Sequence, residues 1–257
     1  MAKKIPIGLL AGAAALFLLA RPRGGGSGAI PLWGSTSVPL QVQNGRWSVV
    51  HLHADEQDAL AAAQVMAPEL GLRVISLDPE RNERGVSFSS EGRTFTFDPN
   101  RIFDSAGVQK TLAAADGGGV PSSLVAATMA FGQTLLARIR SFEGPIIAVH
   151  NNTPGNLTIN SFTPGVNAID VSRHSTSDPD DFFLVTSQRL FDAFSQLPRN
   201  VVLERLPQSD GSLSYAAQQL GIPYVNIEAQ HGHGEAQRTM LRDAVGVLQE
   251  LYGTAIA

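Results

Sequence analysis

WSVVHLHADEQDALAAAQVMAPELGLRVISL, residues 47–77, decides the fold class. Trp47 to His53 alternates and is rich in β-branched residues, which predicts a strand. Glu56 to Ala67 is alanine-rich and predicts a helix that stops near Pro68 and Gly71. Leu72 to Leu77 predicts a second short strand. Moving outward, Val86 to Phe97 reads as a hairpin turned at Glu91-Gly92, and Leu124 to Phe142 as a long amphipathic helix ended by Gly144-Pro145. Ile146-Ile-Ala-Val-His150 is a continuous apolar run, the pattern of a central strand covered on both faces. Phe182 to Thr186, Val201 to Glu204 and Tyr224 to Glu228 are further strands. Leu213 to Leu220 and Glu235 to Leu251 are further helices. This alternation predicts one α/β domain with a mixed, mostly parallel central sheet flanked by helices.

The chain has 257 residues, 43% hydrophobic and 16% charged, with no cysteine. The composition excludes a disordered chain, a disulfide-stapled scaffold and any cysteine-based zinc site. A formal charge of −4 gives no electrostatic reason to expect nucleic acid as a partner. Five of the six histidines fall in three short clusters: His51 and His53, His150, and His231 and His233. His174, in a polar loop, is assigned no role.

Met1-Ala-Lys-Lys followed by the apolar run Ile5 to Ala20 reads as a hydrophobic helix, and residues 1–23 as a signal peptide or membrane anchor. The run spans about 24 Å as a helix, against roughly 30 Å for a bilayer core. Lys3 and Lys4 on one side nearly balance Arg21 and Arg23 on the other, so orientation is not set by charge. Residues 24–44, beginning Gly24-Gly-Gly-Ser-Gly28, read as a flexible linker and lead-in. The expectation is a membrane-anchored or exported protein with an extracytoplasmic domain at residues 45–257.

His53 and Glu56 form an H-x-x-E pair where a strand passes into a helix. An imidazole and a carboxylate three residues apart can converge across such a turn, and both are zinc ligands. The bland alternative is a first-turn acid complementing the helix dipole. His51-x-His53-x-Asp55 is also similar to the H-x-H-x-D of metallo-β-lactamase-like hydrolases, although Glu56 stands where their next histidine would be. His53-Ala-Asp-Glu56 is partly similar to the His-Pro-Asp-Asp-Glu of zinc N-acetylglucosamine deacetylases, without the proline and without a later H-x-x-H. Further on, Asp98-Pro-Asn-Arg-Ile-Phe103 places Asn100 beside Arg101. A guanidinium forks onto a carboxylate, and a neighbouring amide supports it; a solvated turn is the alternative.

In this order, H-x-x-E followed by D-x-N-R-x-F resembles the zinc carboxypeptidases of the carboxypeptidase A class and their relatives, succinylglutamate desuccinylase and aspartoacylase. The resemblance runs from Trp47 to Gly234 through four short motifs. It implies zinc held by His53, Glu56 and His150, the last following a hydrophobic strand as in that family. It implies that Glu228, in Gly221-Ile-Pro-Tyr-Val-Asn-Ile-Glu228, is the general base, with Glu204 as a rival also at a strand end. It implies that Asn100 and Arg101 grip a substrate carboxylate and that Tyr215 touches substrate. Asn151 orients a ligand ring or the substrate, and His231 and His233 contact substrate or support the site, lie in a loop with no role, or serve as alternative metal ligands. Arg84 and Arg93 are both open as the group that polarises the scissile carbonyl.

The function expected from these readings is zinc-dependent hydrolysis of a peptide or amide bond in a small peptide or acyl-amino-acid substrate. Location suggests a cell-wall peptide. A zinc N-acetyl-sugar deacetylase using Asp55 as base, or a tethered binding domain without turnover, are the competing expectations.

Overall fold

The computed structural model describes residues 27–142, 144–206 and 208–253. The chain enters through a hairpin of β1 (Gly28–Trp33) and β2 (Thr36–Val42), turned at Gly34. It then makes β3 (Trp47–His51), α1 (Gln57–Leu70) and β4 (Leu72–Leu77). Pro68 does not stop α1. It lies in the last turn without an N–H to donate, and the helix runs on to end at Gly71 in the left-handed conformation.

The hairpin β5 (Val86–Ser90) and β6 (Arg93–Phe97) turns at Glu91 and Gly92, both with positive φ, as a two-residue hairpin turn requires. A short 3-10 turn at Pro99–Arg101 leads to α2 (Ser105–Thr111) and β7 (Ala113–Ala114). Then come α3 (Ser122–Arg140), β8 (Ile146–Asn152), β9 (Ala168–Ser172), β10 (Phe182–Val185), α4 (Gln188–Phe194) and β11 (Asn200–Glu204). The fold closes with α5 (Leu213–Gln219), β12 (Tyr224–Gln230) and α6 (Gly234–Tyr252).

Nine strands form the central sheet in the order β1-β2-β4-β3-β8-β12-β10-β11-β9, and β5-β6-β7 form a second, small sheet. The four middle strands β4, β3, β8 and β12 run parallel, and β10 runs parallel to β11. The pairings β1–β2, β2–β4, β10–β12 and β9–β11 are antiparallel. The sheet is therefore mixed rather than mostly parallel. The difference comes from a hairpin where a lead-in was expected, on one side, and from the reversal at β10 on the other.

Side-chain alternation sorts the sheet into two faces. Val49, Ile147, Val149, Phe183, Leu203, Val225 and Ile227 point to one face and pack with Leu60, Phe194, Met240 and Leu248 from α1, α4 and α6. Val50, Ile75, Ile146, Ala148 and Tyr224 point to the other. There they pack with α3, α5 and the small sheet through Phe131, Leu135, Leu213, Phe95 and Phe97. On this second face the register sets His150 beside Glu228 near the carboxyl ends of β8 and β12. β3 leads to its neighbour β4 in one direction and β8 pairs with β12 in the other. That reversal of strand order is where open α/β sheets leave a crevice.

The expected membrane attachment, and the exported or extracytoplasmic placement built on it, is corrected here. Among the described residues no helix is long and apolar enough to cross a membrane. The two nineteen-residue helices, α3 and α6, each bury one stripe and keep polar residues on the other side. Residues 1–23, on which the signal, anchor and hydrophobic helix were placed, lie outside the described residues.

Candidate metal centre

β3 ends at His51, and the chain turns tightly before α1: the Glu56 amide donates to the His53 carbonyl at 3.0 Å. This turn carries the His53 and Glu56 side chains to the same point. His53 Nδ1 lies 2.9 Å from Glu56 Oε1, His150 Nδ1 lies 2.8 Å from Glu56 Oε2, and the two imidazole nitrogens are 3.2 Å apart. All three residues are at least 96% buried, with relative exposures of 1%, 1% and 4%. Among the described residues these are the His, Asp and Glu side chains whose donor atoms gather closely enough to hold a metal ion together.

The donor set fits a cation on chemical grounds. His53 Nε2 lies 2.8 Å from Asp98 Oδ1. A carboxylate only accepts, so Nε2 carries a proton, and when the ring is neutral Nδ1 is the nitrogen left to present a lone pair. That lone pair, the His150 nitrogen and two carboxylate oxygens then share one buried spot. They repel one another unless a proton or metal ion lies between them. Zinc is suited to two imidazole nitrogens and a carboxylate with further positions open, and an outer carboxylate on a ligand imidazole is its usual support.

The electrostatics are consistent with that demand for positive charge. Burial lowers the His53 pKa, but Asp98 and Glu56 outweigh it and raise it to about 9. Burial likewise opposes ionisation of Glu56, and His150 and His53 overcome it, holding the carboxyl well below its ordinary value. Asp98 sits at about 2, because its contact with His53 exceeds its burial cost.

Several groups brace the three donors. His51 points to the opposite face, between Ser76 Oγ at 2.9 Å and the Glu56 carbonyl at 3.0 Å; burial lowers its pKa to about 4. It is thus neutral at ordinary pH and holds the backbone of Glu56 rather than joining the donors. Asn151 spends its amide on the scaffold, accepting from the Ala59 amide at 2.7 Å and donating to the Ala229 carbonyl at 3.2 Å. Arg84 donates to Glu56 Oε1 at 2.7 Å, whereas Arg93 pairs with Asp116 on the surface at 2.8 Å. The two arginines that the sequence left open are separated by this difference.

From the donors a cleft of about 550 Å³ runs down the second face of the sheet. Glu228, Asn226 and Tyr224 line it at alternate positions of β12, with Leu184 from β10 and Glu204 from β11. Burial pushes the Glu228 carboxyl up, and Asn226 Nδ2 donates to it at 3.0 Å. Asn100 and Arg101 form part of the wall. Asn100 Oδ1 accepts from the Leu213 amide at 3.0 Å. Arg101 Nη1 donates to the Asn100 carbonyl at 2.9 Å and lies 3.7 Å from Asp210. The loop before α5 is pressed against this pair: a Cβ at Gly107 or Gly211 would come within 2.5 Å of the Arg101 carbonyl oxygen. Gly211 also has φ +76, which a side chain would strain.

Glu204, the rival base, is at the wrong end. β11 is antiparallel to the parallel core, so its last residue lies one step beyond the Leu203–Val185 pair, level with Tyr224 rather than with Glu228. His231 lines the mouth of the cleft, with Nδ1 3.8 Å from Asp58. His233 contacts Asp181 at 3.1 Å and Gln230 at 3.2 Å. Tyr215 on α5 is outside the set of residues that line the cleft. Asp98 as the partner of His53 was not read from the sequence, because nothing local links residues 53 and 98.

The fold and the site together define an α/β protein with a buried His-Glu-His donor set at the carboxyl ends of its parallel strands. No family model matches the chain, and no curated protein matches it. Among solved structures, the chain is similar to a succinylglutamate desuccinylase/aspartoacylase from Rhodobacter sphaeroides, at 16% identity and a TM-score of 0.44, over 88% of this chain and 64% of that one. It is similar to a succinylglutamate desuccinylase from a Silicibacter species at 15% identity and a TM-score of 0.44, over 84% and 62% respectively. A protein of Shewanella denitrificans described as a metallopeptidase has 14% identity and a TM-score of 0.40, over 87% and 82%. The chain spans under two thirds of the length of the first two.

Proposed function

We propose that this protein is a zinc-dependent hydrolase that cleaves a peptide or amide bond in a carboxylate-bearing substrate, with a catalytic domain that includes the β1–β2 hairpin as well as the stretch from residue 45 onward. The observation that carries the reading is the convergence of His53 Nδ1, His150 Nδ1 and the Glu56 carboxylate within 3.2 Å of one another in a buried crevice. Zinc held by these three groups supplies Lewis acidity, lowering the pKa of a water toward about 7 and polarising a carbonyl oxygen.

The chain's own groups then divide the work. Glu228, pushed up by burial and already holding one hydrogen bond from Asn226, accepts the proton of the attacking water and hands it to the leaving nitrogen. Arg84, beside Glu56, donates to the carbonyl oxygen as charge develops on it. Arg101, steadied by Asn100, receives the substrate carboxylate through its guanidinium. Asp98 keeps the His53 ring in the tautomer that leaves Nδ1 free. His231 at the mouth is placed to touch the substrate's outer part. Asn151 fixes the N-terminal turn of α1 to β12 and so positions Glu56. A small peptide or acyl-amino acid is the substrate class that this arrangement suits.

The test is Glu228→Gln. It should retain zinc while lowering kcat for a C-terminal peptide or N-acyl-amino-acid substrate by about 10²–10⁴-fold, the usual contribution of a positioned base. Full activity in that variant would overturn the assignment of the base.

A further inference from the structure

β8 and β12 carry His150 and Glu228 near their carboxyl ends, and at their amino ends the molecule holds a second cavity, of about 500 Å³. Ile146, the first residue of β8, lines it. At roughly 3.3 Å per residue, His150 is about 13 Å further along the strand. The cavity and the catalytic cleft share no lining residue. Its walls are apolar: Ile139 at the end of α3 and Phe142 just past it, Ile146, Ile222 before β12, and Leu251 and Tyr252 at the end of α6. Arg140 is the one charged side chain among the described lining residues. A concave apolar wall with one convergent charge is the usual form of a small-molecule site.

The charge around this cavity is mainly of one sign. Arg189 donates to the Leu251 carbonyl at 2.8 Å and lies 5.0 Å from the centre of the Tyr252 ring. Arg46 donates to the Gly253 carbonyl at 2.7 Å. Arg73 lies against the Phe142 ring, only 6% exposed, and its Nε and Nη1 have no hydrogen-bond partner. Among the described residues, none of Arg46, Arg73, Arg140 and Arg189 has a carboxylate within ion-pair distance, whereas seven other arginines do. The carbonyls at the ends of α3 and α6 account for part of the gathering, since cations favour helix carboxyl ends. Those ends carry only partial charge, and the arginines outnumber Glu143 and Glu250, the acids next to the lining in sequence. Positive charge is therefore left over around an apolar hollow.

We propose that this cavity binds a monocarboxylate with a long apolar stem, of the fatty-acid class, with its stem against Ile146, Ile222 and Leu251 and its carboxylate on Arg140. A guanidinium without a carboxylate of its own can fork onto one through two parallel hydrogen bonds. A single lining cation suits a single negative charge. The surrounding arginines add an attraction that an alcohol of the same length does not feel. The site is independent of the metal centre and of the reaction assigned to it.

Isothermal titration of the full chain with decanoate, butanoate and decanol tests it, at about pH 8, where a carboxylic acid is ionised. Decanoate should bind about a hundredfold or more above butanoate, a modest share of what burying its additional methylenes supplies. It should bind about tenfold or more above decanol, the scale of one charge-assisted hydrogen bond. Arg140→Gln should bring decanoate to within about threefold of decanol. Arg101→Ala, in the catalytic cleft, should leave decanoate binding as it is. Butanoate or decanol binding as well as decanoate, or decanoate binding untouched by Arg140→Gln, would overturn the proposal, as would no saturation by decanoate at about 1 mM. A loss in Arg101→Ala as large as that in Arg140→Gln would place the acid in the cleft and overturn it too.

Discussion

The two halves of the cleft treat buried charge in opposite ways. In the upper half every charged group has a partner of the other sign: Glu56 meets His53, His150 and Arg84, and His53 meets Asp98. The carboxyls there are held below their ordinary values despite their burial. In the lower half Glu228 has an amide and Glu204 a nearby hydroxyl, and burial pushes both carboxyls up. Burial alone therefore does not decide how a carboxyl titrates; what stands within hydrogen-bond reach does. The three donors are built to hold positive charge, whereas Glu228 and Glu204 along the cleft stand beside neutral groups.

The sharpest way to break the contrast is to remove the shared carboxylate of the upper half. Glu56→Ala leaves two imidazoles and Arg84 facing one another and takes away the carboxylate of the three-residue donor set. Zinc affinity should fall by more than the roughly 10–100-fold that loss of an outer partner produces, and hydrolysis should disappear with it; competition with a chelator measures the first. Zinc binding within a few-fold of the wild type would show that the donors are elsewhere.

In the lower half the corresponding change should stabilise. The Glu204 carboxyl is raised from 4.5 to about 7 in the folded chain. Between those values the folded state keeps a proton that the unfolded state has released, so stability declines as pH rises from about 4.5 to 7 and then levels off. The cost at pH 8 is about 3–4 kcal/mol at most, from 1.36 kcal/mol per pK unit. Glu204→Gln should recover part of it and flatten that segment of the denaturation profile. A variant less stable than the wild type at pH 8 would mean that the ionised acid is already paired.

Asp98→Asn tests the upper half more gently. An amide at this position can present its NH₂ group to His53 Nε2 and favour the wrong tautomer, so zinc affinity should drop about 10–100-fold while the fold persists. The smallest effect expected is at the wall between the halves. Arg101→Ala should raise KM about tenfold or more for substrates with a free carboxylate, the worth of a charge-assisted pair, and leave amidated analogues unchanged. An equal loss for both would deny it a carboxylate.

The halves also differ in how far the sequence revealed them. His53 and Glu56 are three residues apart, so a local turn is enough to foresee their meeting, and His150 ends an apolar run that only a central strand explains. The strand-helix-strand unit of residues 47–77 was legible for the same reason, since period and punctuation are local. Asp98 meets His53 only because the small sheet folds back over the large one, and no spacing records that. Glu204 was placed with the bases because a carboxylate at a strand end looks the same whichever way the strand runs; the antiparallel β10–β12 pairing moves it to the other end. The β1–β2 hairpin hid behind Pro31, Pro39 and the glycine-rich stretch before it, which read as linker. β1 is an edge strand, which tolerates Pro31, and Pro39 lies in β2 just before the residues Leu40 to Val42 that pair with β4.

The central claim is that His53, Glu56 and His150 hold one zinc ion. Zinc content by elemental analysis, after gentle purification and buffer exchange, tests it most directly in the wild type and His150→Ala side by side. The account predicts about one equivalent in the wild type, as a single three-ligand site requires, and loss of most of it in the variant. Less than about a tenth of an equivalent in the wild type, or equal content in both proteins, would contradict it.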